Sequence, residues 1–153
     1  MDALEYVHIT CHKLCKESLG EYLPVAGNIG VFCHYNDEYV FLKKLQAELA
    51  DLSQSVYGKY FRLHTSIVIP VKDGIPETTY SYLYIRKPDP DKPQVGDLDF
   101  YLEPEKYAQL KQSLLAGKTV KGARALPNCP DLDLIELYDP NIDAFGYVGN
   151  KKW

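Results

Sequence analysis

Residues 5–11 alternate, with Val7, Ile9 and Cys11 on one side and Tyr6, His8 and Thr10 on the other, the period-two pattern of a strand. Lys13 to Leu23 fits a short helix stopped before Pro24, and Ile29 to Tyr35 is a second apolar strand after the turn signal Gly27-Asn28. The period then changes. Tyr39, Leu42, Leu45, Leu49 and Leu52 recur at three- and four-residue steps behind a possible N-cap at Asn36 or Asp37, which predicts an amphipathic helix of about four turns. Tyr60 to Val71 and Thr78 to Arg86 read as two strands joined by a wide loop with Lys72-Asp73-Gly74 as its turn.

Lys87-Pro88-Asp89-Pro90-Asp91-Lys92-Pro93 breaks the pattern, and residues 87–95 form the linker of the chain. Beyond it Gly96 to Leu102 is a strand, and Pro104 opens a helix with Tyr107, Leu110, Leu114 and Leu115 on its apolar side, ended by Gly117. A weak strand near Ala123, then Leu132 to Tyr138 and Ala144 to Val148, complete the pattern. The strand–helix segment before the linker parallels the one after it: Tyr39, Leu42, Lys43 and Leu45 match Tyr107, Leu110, Lys111 and Leu114, and a glycine (Gly27, Gly96) precedes each strand. A β-α-β-β unit cannot bury its sheet alone, so two copies packed together explain the repeat. The expectation is one α+β domain over 1–153, with a curved, mainly antiparallel sheet of eight or nine strands and two main helices. Its halves run over about 28–86 and 97–148, with an extra N-terminal strand at 5–11.

Composition narrows the function classes. Apolar runs of a few residues fall far short of the ~20 that a membrane-spanning helix needs. No basic and apolar leader pattern opens the chain, so a cytoplasmic location is expected, with Cys11, Cys15, Cys33 and Cys129 as free thiols. The net charge of −4 gives no electrostatic footprint for nucleic acid. The cluster from His8 to Cys15 holds four potential metal ligands. On a strand, however, His8 and His12 point one way and Cys11 and Cys15 the other, and no CxxC occurs to close a zinc tetrahedron. Thr78 to Ile85 and Ala144 to Val148 carry no internal charge or proline to blunt a sheet edge, which predicts a homodimer with Trp153 near the contact.

The tail from Asp131 to Asn141, with its Tyr138-Asp139-Pro140-Asn141 turn, resembles the closing hairpin of the vicinal-oxygen-chelate superfamily, the glyoxalase and bleomycin-resistance proteins. Gly96 to Leu115 is similar to the strand and helix that begin such a module, and Val7-His8-Ile9-Thr10 with Leu14, Ser18 and Tyr22 resembles an opening module. The resemblance implies a cupped sheet around a small-molecule pocket, with a divalent metal held by His or Glu, as in a metal-dependent lyase or isomerase, or a non-catalytic binder. The chain departs from the pattern at Asn28 and Asp97, where a metal-binding His is common, and in its last strand, which carries no acid.

Two constellations can carry chemistry. His64, Asp97 and Glu136 lie on three different predicted strands, and imidazole with carboxylates suits Mn, Fe, Ni or Zn. His8-Ile9-Thr10 and His64-Thr65-Ser66 are two His-x-Thr/Ser triplets. On strands each would present an imidazole and a hydroxyl together, an arrangement that resembles the two-histidine phosphodiesterases, with His8 and His64 as base and acid and Thr10 and Ser66 on the phosphate. Tyr80, Tyr82 and Tyr84 alternate toward Arg86, and Tyr82, Tyr84 and Arg86 are the expected wall of a ligand pocket. An interaction protein without chemistry is the third reading.

Overall fold

In a computed structural model, residues 2–52, 60–126 and 133–152 are described; the predictions for Cys129, Asp131, Leu132 and Trp153 fall outside them. The order is α1 (Asp2–Leu19), β1 (Val25–Phe32), α2 (Asn36–Leu49), β2 (Ala50–Leu52), β3 (Phe61–Ile69), β4 (Thr78–Arg86), β5 (Gly96–Tyr101), α3 (Pro104–Leu115), β6 (Ala123–Ala125), β7 (Ile135–Leu137) and β8 (Ala144–Gly149). The strands form one eight-stranded sheet in the order β2-β3-β4-β1-β5-β8-β7-β6. β1 pairs parallel with β4, β5 pairs parallel with β8, and the other neighbours are antiparallel. Each half is therefore β-α-β-β-β, and the halves meet where β1 and β5 run antiparallel at the sheet centre. The linker at 87–95 joins them.

The N-terminal segment corrects the reading of the sequence. Residues 5–11 are not an extra strand but the middle of an 18-residue helix. A window of seven residues satisfies period two and period 3.6 alike. The longer window decides, because Val7, Cys11, Leu14 and Cys15 form a stripe at helical spacing and all are buried. Asp2 and Glu5 in the first turn and Lys16 in the last suit the helix dipole. Gly20 ends the helix at φ 78°, its N–H donating to the Lys16 carbonyl at 2.8 Å, as a left-handed glycine after a last turn does.

α1 lies across one face of the sheet and packs on Ile29, Leu98, Phe100, Ile135, Leu137 and Val148, with Tyr107 of α3 joining the same core. α2 ends at Leu49, so Leu52 belongs to a strand. It presents Gln46, with Tyr39, Leu42 and Lys43 half-buried, while Leu45 and Leu49 are exposed. The Lys43 ammonium sits 4.1 Å over the Phe61 ring, which turns that side of the helix to the sheet. β4 lies between β3 and β1, and β8 between β5 and β7. The strands expected as exposed edges are thus paired on both sides, and the edge argument for a homodimer does not hold. Among the described residues the edges are β2 and β6, each three residues long.

Under α1 two imidazoles are buried together. His8 and His12 stand one turn apart with ring centres 4.7 Å from each other, and His12 also meets Phe100 edge to face at 5.2 Å. Burial, helped by His8, holds His12 down at about 4, and burial lowers His8 against the pull of Glu5. An unfolded imidazole titrates near ~6.5. The folded chain therefore binds fewer protons, and the stability this pair contributes is complete above that value and lost as pH falls toward 4. About 2–3 kcal/mol should go between pH 7 and pH 4, read from urea midpoints with a chelator present. His12→Phe should remove most of that slope; an unchanged slope contradicts the account.

Candidate functional site

The opposite face of the sheet carries a polar row, because ladder partners share a face. Across the sheet Asp51 pairs with Arg62, Arg62 with Tyr82 and Tyr82 with Asn28. On the other half Asp99 pairs with Tyr147, Tyr147 with Glu136 and Glu136 with Arg124. The two runs meet at the centre through a hydrogen bond from Asn28 Nδ2 to Asp99 Oδ2. The register of β1 on β5 sets up that meeting: Gly30 pairs with Asp97 and Ile29 with Leu98, so Asn28 comes next, opposite Asp99. The ladder shifts just before it: four steps along β1, from Val25 to Ile29, are matched to two along β5, from Phe100 to Leu98, with Gly27 at φ 87° inside the excess.

Burial at the centre is close to complete: Asn28 is 0% exposed, Asp97 7%, Asp99 9%, Glu136 5% and Tyr60 7%. Buried carboxylates are costly unless bonded. Asp99 accepts from Asn28 and from the Tyr60 hydroxyl at 2.7 Å, while Glu136 is held by Arg124 and by the Tyr147 hydroxyl. The Asp97 carboxylate lies directly over Gly30, beside the Tyr84 ring. Burial, with Asp99 beside it, pushes the Tyr60 phenol far up. Burial, with Asp97 and Glu136 near, does the same to Tyr147, so both remain donors at neutral pH. At the end of the row the Arg86 guanidinium stacks 3.6 Å over Phe32 and donates through Nη2 to the Lys92 carbonyl at 3.0 Å. In this row the Oδ1 acceptor of Asn28 and the Nε donor of Arg86 are buried without a partner among the described residues.

The structure brings Asp97, Glu136, Tyr82, Tyr84 and Arg86 onto this face. Tyr80 leaves it. Between the pairs Arg62–Tyr82 and Ile67–Tyr80 the β3–β4 ladder shifts, five residues against two, and Tyr80 turns to the helix face to bond His8 Nδ1 at 2.7 Å. His64 stands exposed toward the sheet margin, 3.1 Å from Asp51. Among the described residues no three His, Cys, Asp or Glu side chains are grouped to hold a metal ion, so His64, Asp97 and Glu136 do not form the expected centre. The phosphodiesterase pair is not formed either. His8-Ile9-Thr10 is helical, His8 lies under α1 on the other face from the polar row, and the Ser66 hydroxyl is spent on Ser81 at 3.1 Å.

Asn28, Asp99, Tyr60 and Tyr147 escaped the candidate set. A signal for Asp99 was present in Asp97-Leu98-Asp99, two acids spaced by two inside an apolar strand, which places both on one face. Tyr60 and Tyr147 reach the site through tertiary placement, which no local pattern encodes.

No protein-family model matches the chain, and no curated protein matches it. Among solved structures, one described as "Structural Genomics, Protein EC4020" is similar over 99% of this chain and 85% of that one, with TM-score 0.56 and 15% identity. At that identity the likeness shows a shared fold. It carries nothing about chemistry.

Proposed function

We propose that this protein is a glyoxalase-like pocket protein that binds a small polar molecule on the polar face of its sheet. The observation that carries the reading is Asn28 Oδ1, an acceptor buried without a partner beside the carboxylates of Asp97 and Asp99. A buried acceptor left unsatisfied costs ~1–3 kcal/mol, which a ligand hydroxyl or amino group would recover. The phenols of Tyr60 and Tyr84, with ring centres 5.6 Å apart, supply an aromatic wall. Arg86 Nε offers a donor for an acidic group at the far end of the same ligand. The two β-α-β-β-β halves and the resemblance of the tail support the glyoxalase-like assignment. The donor set favours binding through hydrogen bonds over the metal-dependent version of that reading, because Asp99 and Glu136 are already engaged by Asn28, Tyr60, Arg124 and Tyr147.

A library of small polyols, amino alcohols and hydroxy acids, screened against the ¹⁵N-labelled chain by NMR, tests this. Binders should move the amides of Asn28, Gly30, Asp97, Asp99 and Tyr147. Asn28→Ala should weaken the best binder by about tenfold, the worth of one buried hydrogen bond. Shifts confined to other surfaces, or unaltered affinity in Asn28→Ala, would sink the proposal.

A further inference from the structure

On the other face of the sheet lies a second set of unpartnered atoms, independent of the polar row. His8 Nε2 and both ring nitrogens of His12 are buried with no hydrogen-bond partner, although the residues are only 0% and 3% exposed. His12 lines a cavity of about 340 Å³ that opens to solvent, walled by Tyr22, Pro24, Pro76, Thr78 and Thr79.

We infer that His8 and His12 form a binding site for a borderline transition-metal ion of the Zn(II), Ni(II) or Cu(II) kind. Three observations converge. The residues are four apart on a helix, which sets two imidazoles on one face, the spacing that helical metal-binding pairs use. Two imidazoles on one tetrahedral ion, each ~2.0–2.1 Å from it, have ring centres roughly 5 Å apart, and these stand 4.7 Å apart. The partner of His8 Nδ1 is the Tyr80 hydroxyl at 2.7 Å. With the Nδ1 proton donated there, Nε2 keeps its lone pair free, the orientation that outer hydrogen bonds give to metal-binding histidines.

The neighbouring thiols stay out of the site, Cys11 Sγ facing the Phe145 carbonyl at 3.2 Å and Cys15 Sγ the Glu21 carbonyl at 3.4 Å. Among the described residues no third His, Cys, Asp or Glu completes a group. The remaining coordination positions therefore fall to water or a small ligand entering by the cavity. Imidazole pairs favour these ions over Mg(II) or Ca(II), which prefer oxygen.

The test uses the full chain with His34→Ala and His64→Ala, which removes the two exposed imidazoles. Titration with Zn(II) against a chromophoric chelator should show one equivalent bound, and His12→Phe and His12→Gln should each weaken it by roughly tenfold or more. In the chain with native His8 and His12, Zn(II) should also shift the Hε1 resonances of both rings, a readout that needs no variant at the site. No bound equivalent, unmoved Hε1 resonances, or full affinity in a folded His12→Phe would each overturn the inference.

Discussion

Gly96→Ala should lower the melting temperature by about 10 °C or more. Gly96 opens β5 at the centre of the sheet, paired with Val31 of β1 and Ala144 of β8. A methyl group there would overlap the carbonyl oxygen of Gly30 and stand 2.6 Å from Val7 Cγ2. The first obstacle is backbone, so no rotamer change relieves it, and the second is a fully buried side chain of α1. Relief requires opening the β1–β5 pair that joins the two halves, or lifting α1 from the sheet. Overpacking at tolerant sites costs ~1–3 kcal/mol, and a backbone collision belongs to the tail above ~4 kcal/mol. In a chain of this size each kcal/mol is ~2–4 °C. Gly117→Ala makes the contrast. That glycine has open space around it and φ 86°, so only the left-handed conformation is penalised, by ~1–2 kcal/mol. Thermal unfolding followed by circular dichroism ranks the two; a Gly96→Ala chain melting with Gly117→Ala would refute the account.

The fold was legible in the sequence wherever a pattern ran long enough to exclude its rival. Pro104 to Leu115, with a proline at the first turn and Gly117 just past the end, is a helix as predicted. The repeat on either side of residues 87–95 is real as topology: the weak strand near Ala123 is β6, and its counterpart in the first half, Ala50–Leu52, is too brief to register as a pattern. Residues 5–11 failed because a short alternating stretch also fits a helical stripe, and that single error carried the histidines with it. On a strand His8 would share a sheet face with Thr10; on α1 it shares a helix face with His12. The edge argument for Thr78 to Ile85 failed for another reason. Strand order is a long-range property, and nothing within β4 says that β1 and β3 flank it.

The polar site was half legible. Asp97 and Glu136 were candidates as metal ligands, and both are buried on the polar face, but Glu136 is engaged by Arg124 and Tyr147 of the flanking strands, and the Asp99 carboxylate on the same face as Asp97 accepts from Tyr60, just before β3. Tyr82 and Tyr84 remained together while Tyr80 departed, because strict alternation ends where a ladder bulges. An isolated glycine in a strand is the sequence's mark of close approach, and Gly30 within Asn28-Ile29-Gly30-Val31 is such a glycine.

Gly30→Ala should accordingly damage the polar site more than the fold. Gly30 pairs with Tyr84 on one side and Asp97 on the other, and a Cβ at this position would occupy the place of Asp97 Oδ1. Here the obstacle is a side chain, so the sheet can stay intact while the carboxylate is driven from its buried position. The stability cost should be ~1–3 kcal/mol, smaller than at Gly96. Affinity for whatever polar ligand the NMR screen identifies should fall by about tenfold or more, because Asp97 is displaced beside Asn28 Oδ1. A double-mutant cycle isolates the cause. In an Asp97→Ala background the oxygen is gone, and Gly30→Ala should then cost under about half of its single-mutant value. Equal costs in both backgrounds would mean that the strand, and not the carboxylate, resists the methyl group, and would remove Gly30 from the account of the site.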